Sequence, residues 1–108
     1  MKALILAAAL AATGAQAQQF SILYTGQDLL TRMESNPSWA LGYIAGVADS
    51  MAGITICIPP STVSLGQMHD MVKQTLDRVP SERHLRADVF IEHTLSRRWP
   101  CGKRGQNL

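Results

Sequence analysis

Apolar and polar positions along this chain sort into four helical stretches. The clearest is Leu65, Met68, Val72, Leu76 and Val79, with Asp70, Lys73, Gln74, Asp77 and Arg78 on the other side. Apolar residues three and four apart define an amphipathic helix. Ser64 followed by Gln67 forms a capping box at its start, and Pro80 closes it. A first helix is read from Thr25, its N-cap, to about Ser35. Asp28 sits in the capping-box position and Leu29, Leu30 and Met33 make its dry side. Asn36-Pro37 ends that helix and begins the next, as N-cap and first helical residue. The last helix runs from about Arg86 to Arg98, with Asp88 in its first turn and Arg97 and Arg98 in its last, matching the macrodipole.

The second helix, Pro37 to about Ala52 with Gly53 beyond it, has a different pattern. From Leu41 through Gly42, Tyr43, Ile44, Ala45, Gly46, Val47 and Ala48 it carries no charge before Asp49. A helix apolar nearly all round belongs inside a protein. Gly42 and Gly46 lie one turn apart, and each costs roughly 1 kcal/mol of helix propensity relative to alanine. Close packing of another backbone on that stripe would offset the loss. The expectation is therefore an all-α domain, four main helices with the other three wrapped round this central one.

Between the helices the chain is short and polar, with one exception. Ile54-Thr55-Ile56-Cys57-Ile58 has strand composition but no second strand to pair with, and Pro59-Pro60 stops it. It reads as a buried, extended connector. Ser81 to His84 is a polar connector and Leu85 anchors the helix that follows. Gln18 to Tyr24 reads as an irregular lead-in.

The amino terminus changes the picture of where the protein works. Lys2 precedes ten uncharged, mostly apolar residues, and Ala15-Gln16-Ala17 is a small-x-small cleavage pattern. A membrane span needs about 20 apolar residues, so the stretch reads as a secretory signal peptide, residues 1–17. Cleavage would leave 91 residues: one domain over 18–101 and a polar tail over 102–108. The product would be exported, periplasmic, and not inserted in the membrane. Ten Lys and Arg against eight Asp and Glu give a net charge of +2, which falls to about +1 without Lys2. Nothing in that balance calls for nucleic acid as a partner.

The two cysteines are Cys57 and Cys101. An even count in a small exported domain favours a disulfide over two buried thiols, and a redox pair would usually be C-x-x-C. Closing that loop of 45 residues is worth on the order of 4 kcal/mol by chain entropy.

Candidate chemistry is sparse. His69, His84 and His93 are not paired at ligand spacing and no G-x-S-x-G elbow accompanies the serines, so neither an enzyme, a metal site nor a cofactor is read here. Asp49 reads as a structural residue near a helix end, and Met33, Met51, Met68 and Met71 as core filling. Arg97, Arg98, Lys103 and Arg104 read as dipole partners and solubilising charge. Two connectors stand out as partner-binding segments. Pro59, Pro60 and Ser61 are stiffened by proline and neighbour Cys57, and a pre-ordered loop loses less entropy on binding. Glu82, Arg83, His84 and Arg86 form a charged connector that would suit a cleft binding peptide carboxylates.

Gly26-x-Asp28-Leu29-Leu30, Leu41-Gly42-Tyr43-Ile44-Ala45-Gly46-Val47-Ala48-Asp49, Cys57-Ile58-Pro59, Val63-Ser64-Leu65-Gly66-Gln67, Pro80, His84-Leu85 and Trp99-Pro100-Cys101 together resemble the Rap/Tai family of immunity proteins. The Gly-Tyr-Ile-x-Gly-Val-x-Asp run is the most specific piece. The resemblance implies a small all-helical periplasmic protein, often dimeric, that neutralises a peptidoglycan amidase effector delivered by type VI secretion. It would do so as a non-enzymatic plug of the effector's cleft. Members of that family often carry two further cysteines at the positions of Met33 and Ala40. Their joint absence leaves Cys57–Cys101 as the one staple and the first helix held by packing. A second functional class remains in view, a small periplasmic stress chaperone of the HdeA type. It too is helical, exported and stapled by one disulfide, and would expose apolar surface in acid.

Overall fold

The computed structural model describes residues 22–102. The leader read over residues 1–17 lies outside the described residues, as does the tail beyond Gly102. Four helices follow in order: α1 Gly26–Ser35, α2 Pro37–Met51, α3 Leu65–Arg78 and α4 Ala87–Arg98, with a single 3-10 turn at Pro80–Glu82. Among the described residues there is no strand; three isolated bridges, Thr25 to Arg86, Ala52 to Ile56 and Ile56 to Pro100, tie connectors together.

The starts of the first three helices each have a local cause. At α1 the Thr25 hydroxyl accepts from the Asp28 N–H at 3.1 Å, and the Asp28 carboxylate accepts from the Thr25 N–H at 2.9 Å. At α3 the Ser64 hydroxyl and the Gln67 side chain reciprocate in the same way, at 3.1 and 2.7 Å. Each box satisfies two groups that a helix start leaves without an intrahelical partner. The Asn36 side chain accepts from the Trp39 N–H, with Pro37 in the first turn. Gly53 takes φ of 79° just past α2, a left-handed backbone that favours glycine.

Every helix packs on the other three. The core joins Leu29 and Met33 of α1, Ala40, Ile44 and Ala48 of α2, Val72 and Leu76 of α3, and Ala87, Phe90, Ile91 and Leu95 of α4, with Ile56 from the connector. The segment is not a strand, but it departs from the buried, extended connector read from sequence: Gly53 to Thr55 turn back on the Met51 carbonyl, which accepts from the N–H groups of Ile54, Thr55 and Ile56, so Ile54 is 66% exposed and Ile56 alone enters the core.

The role of α2 needs correction. It does meet α1, α3 and α4, yet it is not enclosed by them. Only Ala40, Ile44 and Ala48 are buried, and the side bearing Gly42 and Gly46 is exposed. A Cβ built on either glycine meets nothing within 4 Å, so no backbone packs on that stripe. The reason is geometric: helices are about 10 Å across, and three of them cannot surround a fourth. Gly42 and Gly46 present almost no side chain to water, and exposing so little apolar area costs little.

Two clasps hold the bundle together. Cys57 and Cys101 form the disulfide, with their α-carbons 5.0 Å apart, and the Cys57 N–H donates to the Trp99 carbonyl at 2.8 Å. At the start of α1, Gly26 and Gln27 donate to the carbonyls of Leu85 and Arg83, and Ala87 donates to the carbonyl of Tyr24. The first turns of α1 and α4 thus share one crossing, which serves α4 in place of the side-chain cap it lacks.

Candidate partner-binding surface

Pro59, Pro60 and Ser61 are all exposed and form a closed turn. The Thr62 hydroxyl donates to the Pro59 carbonyl at 2.8 Å, and Ser61 sits in the left-handed region with φ of 62°. Left-handed backbone at a non-glycine residue costs on the order of 1 kcal/mol and persists only where its surroundings hold it. Here the disulfide is two residues upstream and the Ser64 cap three residues downstream. The turn is short, stiff and uncharged.

The second segment is less of a basic projection than its composition implies. Glu82, His84 and Arg86 are exposed, but Arg83 is half-buried and its Nε donates to the Leu76 carbonyl at 2.8 Å. It is therefore a cap on the carbonyl end of α3. Arg86 grips Asp88 through two bonds, Nε to Oδ1 at 3.0 Å and Nη2 to Oδ2 at 2.6 Å. That hydrogen bonding raises the guanidinium pKa further above its ordinary value. Both arginines of this connector are committed within the fold, leaving Glu82 and His84 as its outward groups.

The structure does not bring the two segments together. They leave opposite ends of α3, whose 14 residues span about 21 Å.

The other residues singled out by sequence fall into place around them. His69 is half-buried, with Nδ1 3.3 Å from the Asp70 carboxylate, and His93 is exposed. Among the described residues no group of three or more His, Cys, Asp or Glu side chains could hold a metal ion. Asp49 is exposed on the outer side of α2. Met33 is buried in the core, and Met51 and Met68 pack against it.

Two features escaped the sequence reading. Tyr24, Trp39 and Tyr43 form an aromatic cluster with centroids 4.9 to 5.6 Å apart, capped by Arg32, whose guanidinium lies 4.3 Å from the Trp39 ring and 5.0 Å from Tyr24. Desolvation beside this cluster raises the Tyr43 pKa. The four-residue spacing of Trp39 and Tyr43 was its only linear signal. The second is a groove between α3 and α4 lined by Arg78, His93 and Arg97. His93 and Arg97 are one turn apart in sequence, but Arg78 joins them only through the packing of α3 on α4.

The family described as Rap1a immunity proteins matches residues 25–101, from the N-cap of α1 to the second disulfide cysteine. No curated protein matches the chain.

Proposed function

The chain belongs to the Rap1a family of immunity proteins, and on that premise we propose that it is a non-enzymatic antitoxin acting in the periplasm. Its target in this reading is a peptidoglycan amidase delivered by type VI secretion, and it blocks that enzyme by placing the Pro59–Ser61 turn in the active-site cleft. The observation that carries the reading is the turn itself: exposed, free of charge, and closed by the bond from Thr62 to Pro59. Little conformational entropy remains for it to lose on entering a cleft. Glu82 and His84, about 21 Å away along α3, fall under the same interface. A standard patch of roughly 800 Å² per partner is about 30 Å across. Export depends on the leader read over residues 1–17, and the proposal includes a homodimer in solution.

The chaperone alternative draws less support. Acid-triggered opening works through groups whose pKa differs between the folded and unfolded states, and among the described residues the core contains no buried polar or charged side chain whose burial would supply such a shift.

The test is inhibition of a candidate amidase effector in a peptidoglycan hydrolysis assay, with fractionation of the producing cell to locate the protein. Replacing Pro59 and Pro60 together with glycine should weaken inhibition at least tenfold while the melting temperature stays within a few degrees. Inhibition that survives that change, and also survives Glu82→Ala with His84→Ala, would exclude both segments from the contact.

A further inference from the structure

We infer that the groove between α3 and α4 is a second binding site, one that takes an extended acidic segment of a protein. It is an open cleft of about 330 Å³ lined by Thr75, Arg78, Val79, His93, Thr94 and Arg97. Arg78 comes from the last turn of α3, His93 and Arg97 from one side of α4. No ion pair involves any of the three among the described residues, whereas Lys73–Asp77 and Arg86–Asp88 are closed pairs. The nearby acids are accounted for: Asp77 is held by Lys73 at 2.9 Å, and Glu92 lines a different hollow with Arg86 and Val89. The groove therefore presents two guanidinium groups, Arg78 and Arg97, with no acidic side chain paired to them, and the His93 ring beside them.

The hydroxyls on its wall decide which anion fits. Thr94 Oγ1 donates to Thr75 Oγ1 at 2.8 Å, and Thr75 Oγ1 donates in turn to the Met71 carbonyl at 3.3 Å. Each hydroxyl has one proton, so both are spent inside the protein. Thr94 is left with lone pairs alone, which repel a phosphate oxygen and suit an N–H donor. Both arginines also sit at helix C-terminal turns, so no backbone N–H groups converge here as they do in phosphate sites. A ligand carrying carboxylates and N–H groups together is a peptide with acidic side chains. His93 and Arg97 are separated by four residues, about 6 Å of helical rise. Alternate side chains of an extended chain repeat at about 6.8 Å, so acids two residues apart would face both. Val79 and the arginine stems supply apolar contact between them.

The test uses the purified protein and three probes: an eight-residue peptide with aspartates at alternate positions, its asparagine counterpart, and inorganic phosphate. Fluorescence anisotropy should show the acidic peptide binding, with affinity falling as salt rises. The Arg78→Gln, Arg97→Gln double variant should lose at least tenfold, and Arg98→Gln, outside the groove, less than twofold. Thr94→Val, which keeps every charge, should lose severalfold for the peptide, with an unchanged circular dichroism spectrum confirming its fold. Backbone amide shifts in a two-dimensional NMR spectrum should move at Thr75, Val79 and Thr94 with the acidic peptide only. Equal binding of the asparagine peptide, or equal loss with Arg98→Gln, would overturn the site. Phosphate shifting the same amides as strongly would overturn the peptide assignment and leave a simple anion pocket. Because none of these probes is the amidase, the outcome is independent of the Pro59–Ser61 turn.

Discussion

A methyl group built on Gly26 would stand 2.7 Å from Cε2 of Phe90, closer than any side chain tolerates. The same position comes within 2.9 Å of Leu76, so the first turn of α1 seats directly on side chains of α3 and α4. This is the close approach that a glycine makes possible, and it lies on α1 rather than on α2. Gly26→Ala should therefore destabilise the protein by about 1–3 kcal/mol through overpacking. Gly42→Ala and Gly46→Ala, facing open space, should be neutral or stabilising by up to about 1 kcal/mol each. Urea titrations of the three variants decide it. Equal losses at all three positions would mean that α2 is covered after all.

The Cys57–Cys101 bridge joins residues 44 apart in sequence, across the connector after α2 and the end of α4. Reduction, or Cys57→Ala with Cys101→Ala, should cost on the order of 4 kcal/mol by chain entropy. Hydrogen exchange should show the Cys57 amide, donor to Trp99, losing protection before the amides of α1. Uniform loss along the chain would indicate that the clasp holds the whole fold and not one end.

Acid should weaken the α1 cap. The Asp28 carboxyl is held below its ordinary value, first by the Thr25 backbone N–H and then by the Thr25 hydroxyl. A carboxyl with a depressed folded pKa contributes stability that is complete above the unfolded value, about 3.9, and is lost as pH falls through the folded value. The gap in melting temperature between the native protein and Asp28→Asn should be present at pH 7 and narrow below about pH 4. A gap constant with pH would mean that the charge of Asp28 plays no part.

The two arginines of the α3–α4 connector should behave differently. Arg83→Ala removes a charged donor from the Leu76 carbonyl in a half-buried position, an effect of about 1.5–3 kcal/mol. Arg86→Ala breaks an exposed ion pair with Asp88, where about 0–1 kcal/mol is at stake. Thermal melts should rank Arg83→Ala clearly below Arg86→Ala, and the reverse order would contradict the inward placement of Arg83.

Helix starts were legible because a cap is complete within four residues: Thr25 with Asp28, Asn36 with Trp39, and Ser64 with Gln67 all act inside one turn. The disulfide was legible from cysteine count and compartment, since two cysteines allow one pairing. That the stretch through Ile56 is no strand was legible because a solitary strand has nothing to bond to, whereas its turn at Gly53 to Thr55 was not. The partner-binding surface was legible only as segments. That Arg83 turns inward while Arg78 stays unpaired depends on neighbours seven and more residues away, which no local pattern records.

Sequence alone determined four helices and the caps of the first three, because backbone hydrogen bonding and capping are settled between near neighbours, and the pairing of Cys57 with Cys101, because two cysteines allow one pairing. Tertiary packing decided which side of each helix meets water. The outer face of α2 is apolar in composition yet exposed, because three neighbours leave part of any helix uncovered. The Gly26–Phe90 contact, between residues 64 apart in sequence, exists only once α1 and α4 are laid together. Covalent order sets the elements, and volume exclusion between distant side chains sets how they meet.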